Sequence, residues 1–190
     1  MSQTATLSRP RTDHLLIGML AVACASVYAL HTPAVPDLAA QVARVDAARS
    51  GALLWWSGWF GGLQLPSYSV LSPLVMSWHG VSVAAGCAAA AASIFGLSLF
   101  RTSRRPIAAS IGLSAAAFAD ILAGRVTFAL GGAAAIGAAV LIKRDRRWLA
   151  PAAGLIAYLF SPLAGLFLGF ATLAIAVAQP ARRRTSIATA

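Results

Sequence analysis

Long apolar runs broken by short arginine clusters govern what this chain can fold into. Six runs can be marked along the 190 residues: about 14–31, one within 74–100, about 106–123, about 126–142, about 148–160 and 162–178. A helix needs roughly 20 residues to cross a bilayer, and most of these runs approach that length. Ser161-Pro162 separates the last two, because a residue that precedes proline resists the helical conformation. The fifth run is short, which predicts a tilted or re-entrant helix, or one protected by its neighbours. Composition agrees: 59% of residues are hydrophobic and 11% charged, with a mean hydropathy of +0.77, where a soluble domain carries about 25% charged residues. The expected fold class is all-α, a polytopic helical membrane protein with about six transmembrane helices. Residues 1–13 and 179–190 read as basic tails and 14–178 as one membrane domain.

The arginine clusters test this count. The formal net charge of +10 arises from 15 lysines and arginines against five aspartates and no glutamate. Arg9 and Arg11 precede the first run, and Arg101, Arg104 and Arg105 follow the second. Lys143, Arg144, Arg146 and Arg147 follow the fourth, and Arg182, Arg183 and Arg184 follow the sixth. Six crossings put all four clusters, twelve of the fifteen basic residues, on one side. The positive-inside rule then places both termini in the cytoplasm and residues 32–73 outside. Joining 148–178 into one kinked helix would send the triple-arginine tail outside, which the charge pattern opposes. Basic residues dispersed in this way meet lipid headgroups rather than nucleic acid. Abundant alanine, and fourteen arginines to one lysine, point to a GC-rich bacterial genome and hence to a bacterial plasma membrane. The first run lacks a clear small-residue cleavage site before Pro33 and reads as an uncleaved anchor. Cys24 and Cys87 lie in apolar runs without CxxC or metal-ligand spacing and read as small membrane-core residues.

The external segment, about 32–73, differs from everything after it. Asp37 follows Pro36, which suits a helix N-cap. Leu38, Val42 and Val45 then fall on one helical face while Asp37, Gln41 and Arg44 fall on another, the pattern of a short amphipathic helix lying along the membrane surface. Trp55, Trp56, Trp59 and Phe60 follow, interrupted by Ser57-Gly58 and closed by Gly61-Gly62. Such residues form an interfacial aromatic belt or the wall of a sugar or lipid-linked substrate site. Leu65-Pro66-Ser67-Tyr68 leads back toward the membrane.

The sequence lacks a Walker A loop, a Rossmann glycine pattern, a GxSxG elbow and metal-ligand spacing, so neither a cofactor nor a metal is expected. His14, His31 and His79 are dispersed and read as interfacial. Few polar groups remain on the outer side: Asp37, Arg44, Asp46, Arg49, the hydroxyls around Tyr68, and Asp120 with Arg125. A charge close to the membrane is costly and marks a functional candidate. Asp120 and Arg125 either pair across a tight turn or leave Arg125 to meet a lipid-borne phosphate through its planar guanidinium. Asp37 suits either a helix cap or a general base that takes a proton from an acceptor hydroxyl. Gly131-Gly132, Gly137, Gly165 and Gly169 permit close helix packing.

One anchor helix, an aspartate at its outer end, an amphipathic segment and a Trp/Gly stretch are followed by Leu-Pro-Ser-Tyr-Ser-Val-Leu-Ser-Pro (65–73), Gly-Arg-Val-Thr-Phe-Ala-Leu-Gly (124–131) and Ser-Pro-Leu-Ala-Gly-Leu-Phe (161–167). This order resembles the amino-terminal membrane part of bacterial GT-C-type glycosyltransferases of envelope-polysaccharide assembly. The resemblance spans most of 14–178. It implies a polyprenyl-phosphate sugar donor, a glycan acceptor, and a catalytic acid in the first external loop. Carried over, Asp37 takes that catalytic place, with Asp46 a second candidate. Asp46, Arg49, Trp55, Trp56, Trp59, Tyr68 and Arg125 become the expected substrate-binding residues. Members of that family have more spans than six, so a second reading stays open: a non-catalytic accessory or scaffold protein with a partner membrane subunit, or a truncated paralogue. A transporter is disfavoured by the lack of internal repeats.

Overall fold

The computed structural model describes residues 10–56, 65–66, 68–178 and 189. Among them the chain is helical apart from one two-residue ladder. The elements are α1 (Pro10–Leu30), α2 (Pro36–Arg49), β1 (Trp55–Trp56), β2 (Leu65–Pro66), α3 (Leu71–His79), α4 (Val81–Phe100), α5 (Pro106–Leu122), α6 (Val126–Lys143), α7 (Leu149–Phe160) and α8 (Pro162–Ala178). β1 and β2 are antiparallel, with Trp55 opposite Pro66 and Trp56 opposite Leu65.

Among the described residues, three helices are long and apolar enough to cross a membrane: Thr12–Leu30, Val81–Phe100 and Val126–Lys143. α5 and α8 have 17 residues each and α7 has 12. At 1.5 Å per residue α7 is about 18 Å long, well short of the roughly 30 Å hydrocarbon layer. All six apolar runs are therefore helical, and three of them reach spanning length. The run expected within 74–100 is cut in two at Gly80, whose φ of +84° ends α3 and turns the chain into α4.

Helix directions follow from specific contacts. A Cβ on Gly86 of α4 would stand 2.8 Å from the Ala25 carbonyl oxygen of α1, and one on Gly18 of α1 would approach Leu97 of α4, so these two helices run antiparallel. At one end of the bundle Lys143 donates to the Leu99 carbonyl and Arg144 to the Ser98 hydroxyl. The carboxyl ends of α4 and α6 therefore lie together, with the basic loops 101–105 and 143–147 beside them. At the opposite end Tyr28 of α1 donates 2.9 Å to the Ile121 carbonyl of α5, and α2 packs there.

The core is built of small residues. Ala84, Ala85, Ala88, Ala89 and Ala92 of α4 meet Ala129, Leu130 and Ala133 of α6, with Tyr28, Val45, Met76, Ile121 and Val126 closing its α2 end. Alanine lets helix backbones approach closely, so dispersion contacts replace a bulky core. Large apolar side chains point outward instead: Leu15, Leu16, Met19 and Leu20 on α1, Phe167, Phe170, Leu173 and Val177 on α8. An exterior of this kind fits membrane lipid and would be an aggregating surface in water.

The α2 helix forms where an amphipathic helix was expected, but with a different inward face. Gln41, Arg44 and Val45 are buried, whereas Val42 is 45% exposed. Gln41 and Arg44 of the polar stripe pack against the bundle beside Val45 because the groups they meet there, a threonine hydroxyl and a backbone carbonyl, are hydrogen-bonding partners. Asp37 is not the N-cap: Val35 holds that place with an extended backbone, Pro36 starts the helix, and Asp37 lies in the first turn, where a carboxylate favours the helix dipole.

Candidate functional site

A cleft of about 500 Å³ opens at the α2 end of the bundle, lined by Asp37, Gln41 and Arg44 of α2, Tyr68, Arg125 with Thr127 and Phe128 at the head of α6, and the Ser161-Pro162 break between α7 and α8. It is formed by the close docking of one turn onto one helix. α5 ends in a Schellman motif: the Gly124 amide donates to the Ile121 carbonyl and the Arg125 amide to the Asp120 carbonyl, with Gly124 at φ +80°. A Cβ on Gly124 would lie 2.7 Å from the Leu38 nitrogen and 3.0 Å from the Asp37 Cβ. Glycine thus satisfies the left-handed turn and lets that turn touch the first turn of α2. The next residue, Arg125, is delivered to the carboxylate: its Nε is 4.0 Å from Asp37 Oδ2.

Arg44 is the chemical centre of the cleft. It is 3% exposed. Its Nη1 donates 3.3 Å to the Thr127 hydroxyl and its Nη2 donates 3.0 Å to the Ser69 carbonyl. The guanidinium also lies 4.3 Å from the centre of the Tyr68 ring, a cation–π arrangement. Thr127 in turn donates 2.6 Å to Gln41 Oε1, which fixes the direction of the hydroxyl and leaves its lone pairs to Arg44. Burial pulls the Arg44 guanidinium below its ordinary range, with Tyr68 opposing the shift; a guanidinium nonetheless stays protonated in a protein. Arg44 and Arg125 together carry two positive charges and Asp37 one negative, so these three side chains leave the cleft a formal +1. Arg44 is held, the Arg125–Asp37 pair is exposed on both sides, and exposed pairs contribute at most about 1 kcal/mol. An entering anion therefore meets a fixed cation at depth and a movable one at the rim.

Of the residues expected to form a site, the fold brings Asp37, Tyr68 and Arg125 into this cleft. Asp46 and Arg49 do not join them. Asp46 is exposed on α2, and Arg49 donates 3.0 Å to the Ser77 carbonyl, tying α2 to α3. Trp55 and Trp56 lie in β1, and Trp59 falls outside the described residues. The ion pair expected between Asp120 and Arg125 is replaced: the tight turn is present, but the Arg125 side chain crosses to Asp37 because α2 docks on Gly124. Asp120 instead lines a separate apolar groove. Gln41 and Thr127 were not singled out as site residues, and Arg44 was named among the outer-side polar groups but not among the expected substrate-binding residues. The signal was there in part, since Gln41 and Arg44 follow Asp37 by four and seven residues and so share its helix face. Among the described residues, no three His, Cys, Asp or Glu side chains converge as a metal site would require.

Comparison of the chain with protein families, with characterised proteins and with solved structures returns no match.

Proposed function

We propose that this chain is a GT-C-like protein of the bacterial plasma membrane, crossing it six times with both termini in the cytoplasm, and that it transfers a sugar from a polyprenyl-phosphate donor to a glycan acceptor at the outer face. The observation that carries this reading is the cleft: a carboxylate and a guanidinium paired at its rim and a buried guanidinium at its floor. In this scheme α5, α7 and α8 complete the count of crossings as shorter helices packed among longer ones, with α7 capped inside the protein.

Sugar transfer from a lipid phosphate needs a group that takes a proton from the acceptor hydroxyl and a group that stabilises the charge left on the departing phosphate. Asp37 supplies the first. Its carboxylate is exposed to the cleft mouth and accepts the hydroxyl proton as the oxygen attacks the anomeric carbon. Arg44 and Arg125 supply the second, offering donors to phosphate oxygens in the planar geometry that guanidinium groups provide. Moving Arg125 from Asp37 to the phosphate frees the carboxylate as a base. Tyr68, which braces Arg44, positions that charge.

The test is Asp37→Asn, expressed in a bacterial host with product glycolipids extracted from membranes. Loss of product by a factor of about 10²–10⁴, with unchanged membrane insertion, is the expected outcome. Unchanged product removes Asp37 from the mechanism and favours the second reading, a non-catalytic accessory protein. That reading draws on α1, whose apolar window is only 17% buried and so offers a long face to a partner membrane subunit.

A further inference from the structure

The second cavity of the bundle, a groove of about 380 Å³, lies between α4, α5, α6 and α8 and is unlike the cleft. Its walls are almost wholly apolar, from Leu99 and Leu113 to Ile136 and Leu168, with one carboxylate, Asp120. It borders α6 from Phe128 to Ala139, twelve residues and so about 16 Å of helix axis, about half of a hydrocarbon layer. Phe128 lines both the groove and the cleft, and its ring stands edge-on to Phe167 at 6.3 Å, so an aromatic pair marks the boundary between them.

The dimensions decide what this groove accepts. A helix about 10 Å across and 16 Å long fills over about 1,200 Å³, three times the space present, so a partner helix does not enter. A single hydrocarbon chain does. Asp120 sits one residue short of Ile121, whose carbonyl holds Tyr28 at the α2 end of the bundle, so the acid marks the headgroup end of the groove and the alanine-rich walls its tail end. Asp120 makes no hydrogen bond or close ion pair with another described side chain; the charge of Arg125, turned toward Asp37, acts on it only from a distance and leaves its oxygens without a donor. A carboxylate is an acceptor only, and beside apolar surface its charge calls for a donor.

We propose that this groove is a lipid-binding site, distinct from the cleft, for one acyl chain of a membrane lipid whose headgroup presents an ammonium N–H donor to Asp120. The inference does not depend on sugar transfer.

The full chain, purified in a maltoside detergent, is titrated with three lysolipids of identical acyl chain and followed by native mass spectrometry. All three share the free glycerol hydroxyl of a lysolipid; lysophosphatidylethanolamine adds ammonium N–H donors, lysophosphatidylglycerol further O–H donors on an anionic headgroup, and lysophosphatidylcholine neither. The ethanolamine lipid should bind tenfold or more tightly than each of the other two. Asp120→Asn should narrow that preference to twofold or less while chain binding persists. Gly132 lines the groove, and a Cβ there meets nothing within 4 Å, so the side chain of Gly132→Leu starts into open space, occupies the groove and should abolish binding of all three. Equal binding of the three lipids, tighter binding of the glycerol or choline lipid, no binding of any, or a preference that survives both substitutions overturns the proposal.

Discussion

At the scale of single residues, Gly124 does more to create the cleft than any charged group. Its φ of +80° lies in the left-handed region, which costs other residues about 1–2 kcal/mol. A methyl group there would also press into the Leu38 backbone at 2.7 Å. Gly124→Ala should therefore destabilise the protein by about 2–4 kcal/mol, read as an earlier thermal transition in detergent. It should also push Arg125 away from Asp37. An unchanged transition would mean that the turn does not press on α2. Arg44 illustrates the opposite economy: a buried cation costs several kcal/mol in lost hydration, and here it is compensated by Thr127, the Ser69 carbonyl and the Tyr68 face.

At the scale of elements, the instructive case is α7. Pro162 stops it, leaving its last carbonyls without helical donors. The segment that enters α3 fills the deficit. The Val70 amide donates 3.1 Å to the Leu159 carbonyl and the Ser72 hydroxyl 2.8 Å to the Phe160 carbonyl. A short helix can thus end inside the bundle, where hydrocarbon offers no donors. Ser72 is fully buried, so Ser72→Ala orphans the Phe160 carbonyl and should cost about 1–3 kcal/mol. Faster hydrogen exchange at 159–165, without change in α1, is the expected signature. Uniform exchange throughout would show that the cap does not matter. The break at 161–162 was legible in the sequence because proline acts locally. Its cap was not, because the donors lie some ninety residues earlier in the chain. The α2 helix makes the same point: its period and its two stripes could be read from spacing, yet the inward face takes from both, Gln41 and Arg44 turning in beside Val45 because Thr127 and Ser69 wait there while Val42 and Asp37 stay exposed.

For the molecule as a whole, charge and packing agree on two distinct ends. The basic loops 101–105 and 143–147 gather where α4 and α6 terminate, and the cleft lies at the other end. On the proposed orientation the basic end is cytoplasmic. With Cys24 and Cys87 replaced by serine, Ser50→Cys should react with an impermeant maleimide on intact cells, and Ser103→Cys only after lysis. The reverse pattern would invert the orientation and move the cleft to the cytoplasm.

The sequence by itself determined the class of environment, the helical character of each apolar run, the proline and glycine stops, and the separation of basic clusters from the Asp37 segment. These properties depend on hydropathy and on backbone geometry within a few neighbours, so they survive without knowledge of the fold. The tertiary structure alone decided which stripe of α2 faces inward, that Arg44 is buried with Thr127 and Gln41, that Arg125 reaches Asp37 rather than Asp120, and that Asp46 and Arg49 stay outside the cleft. Each of those outcomes rests on a contact between residues far apart in the chain. Such contacts are fixed by how closely helices dock, and here by the missing side chain of Gly124.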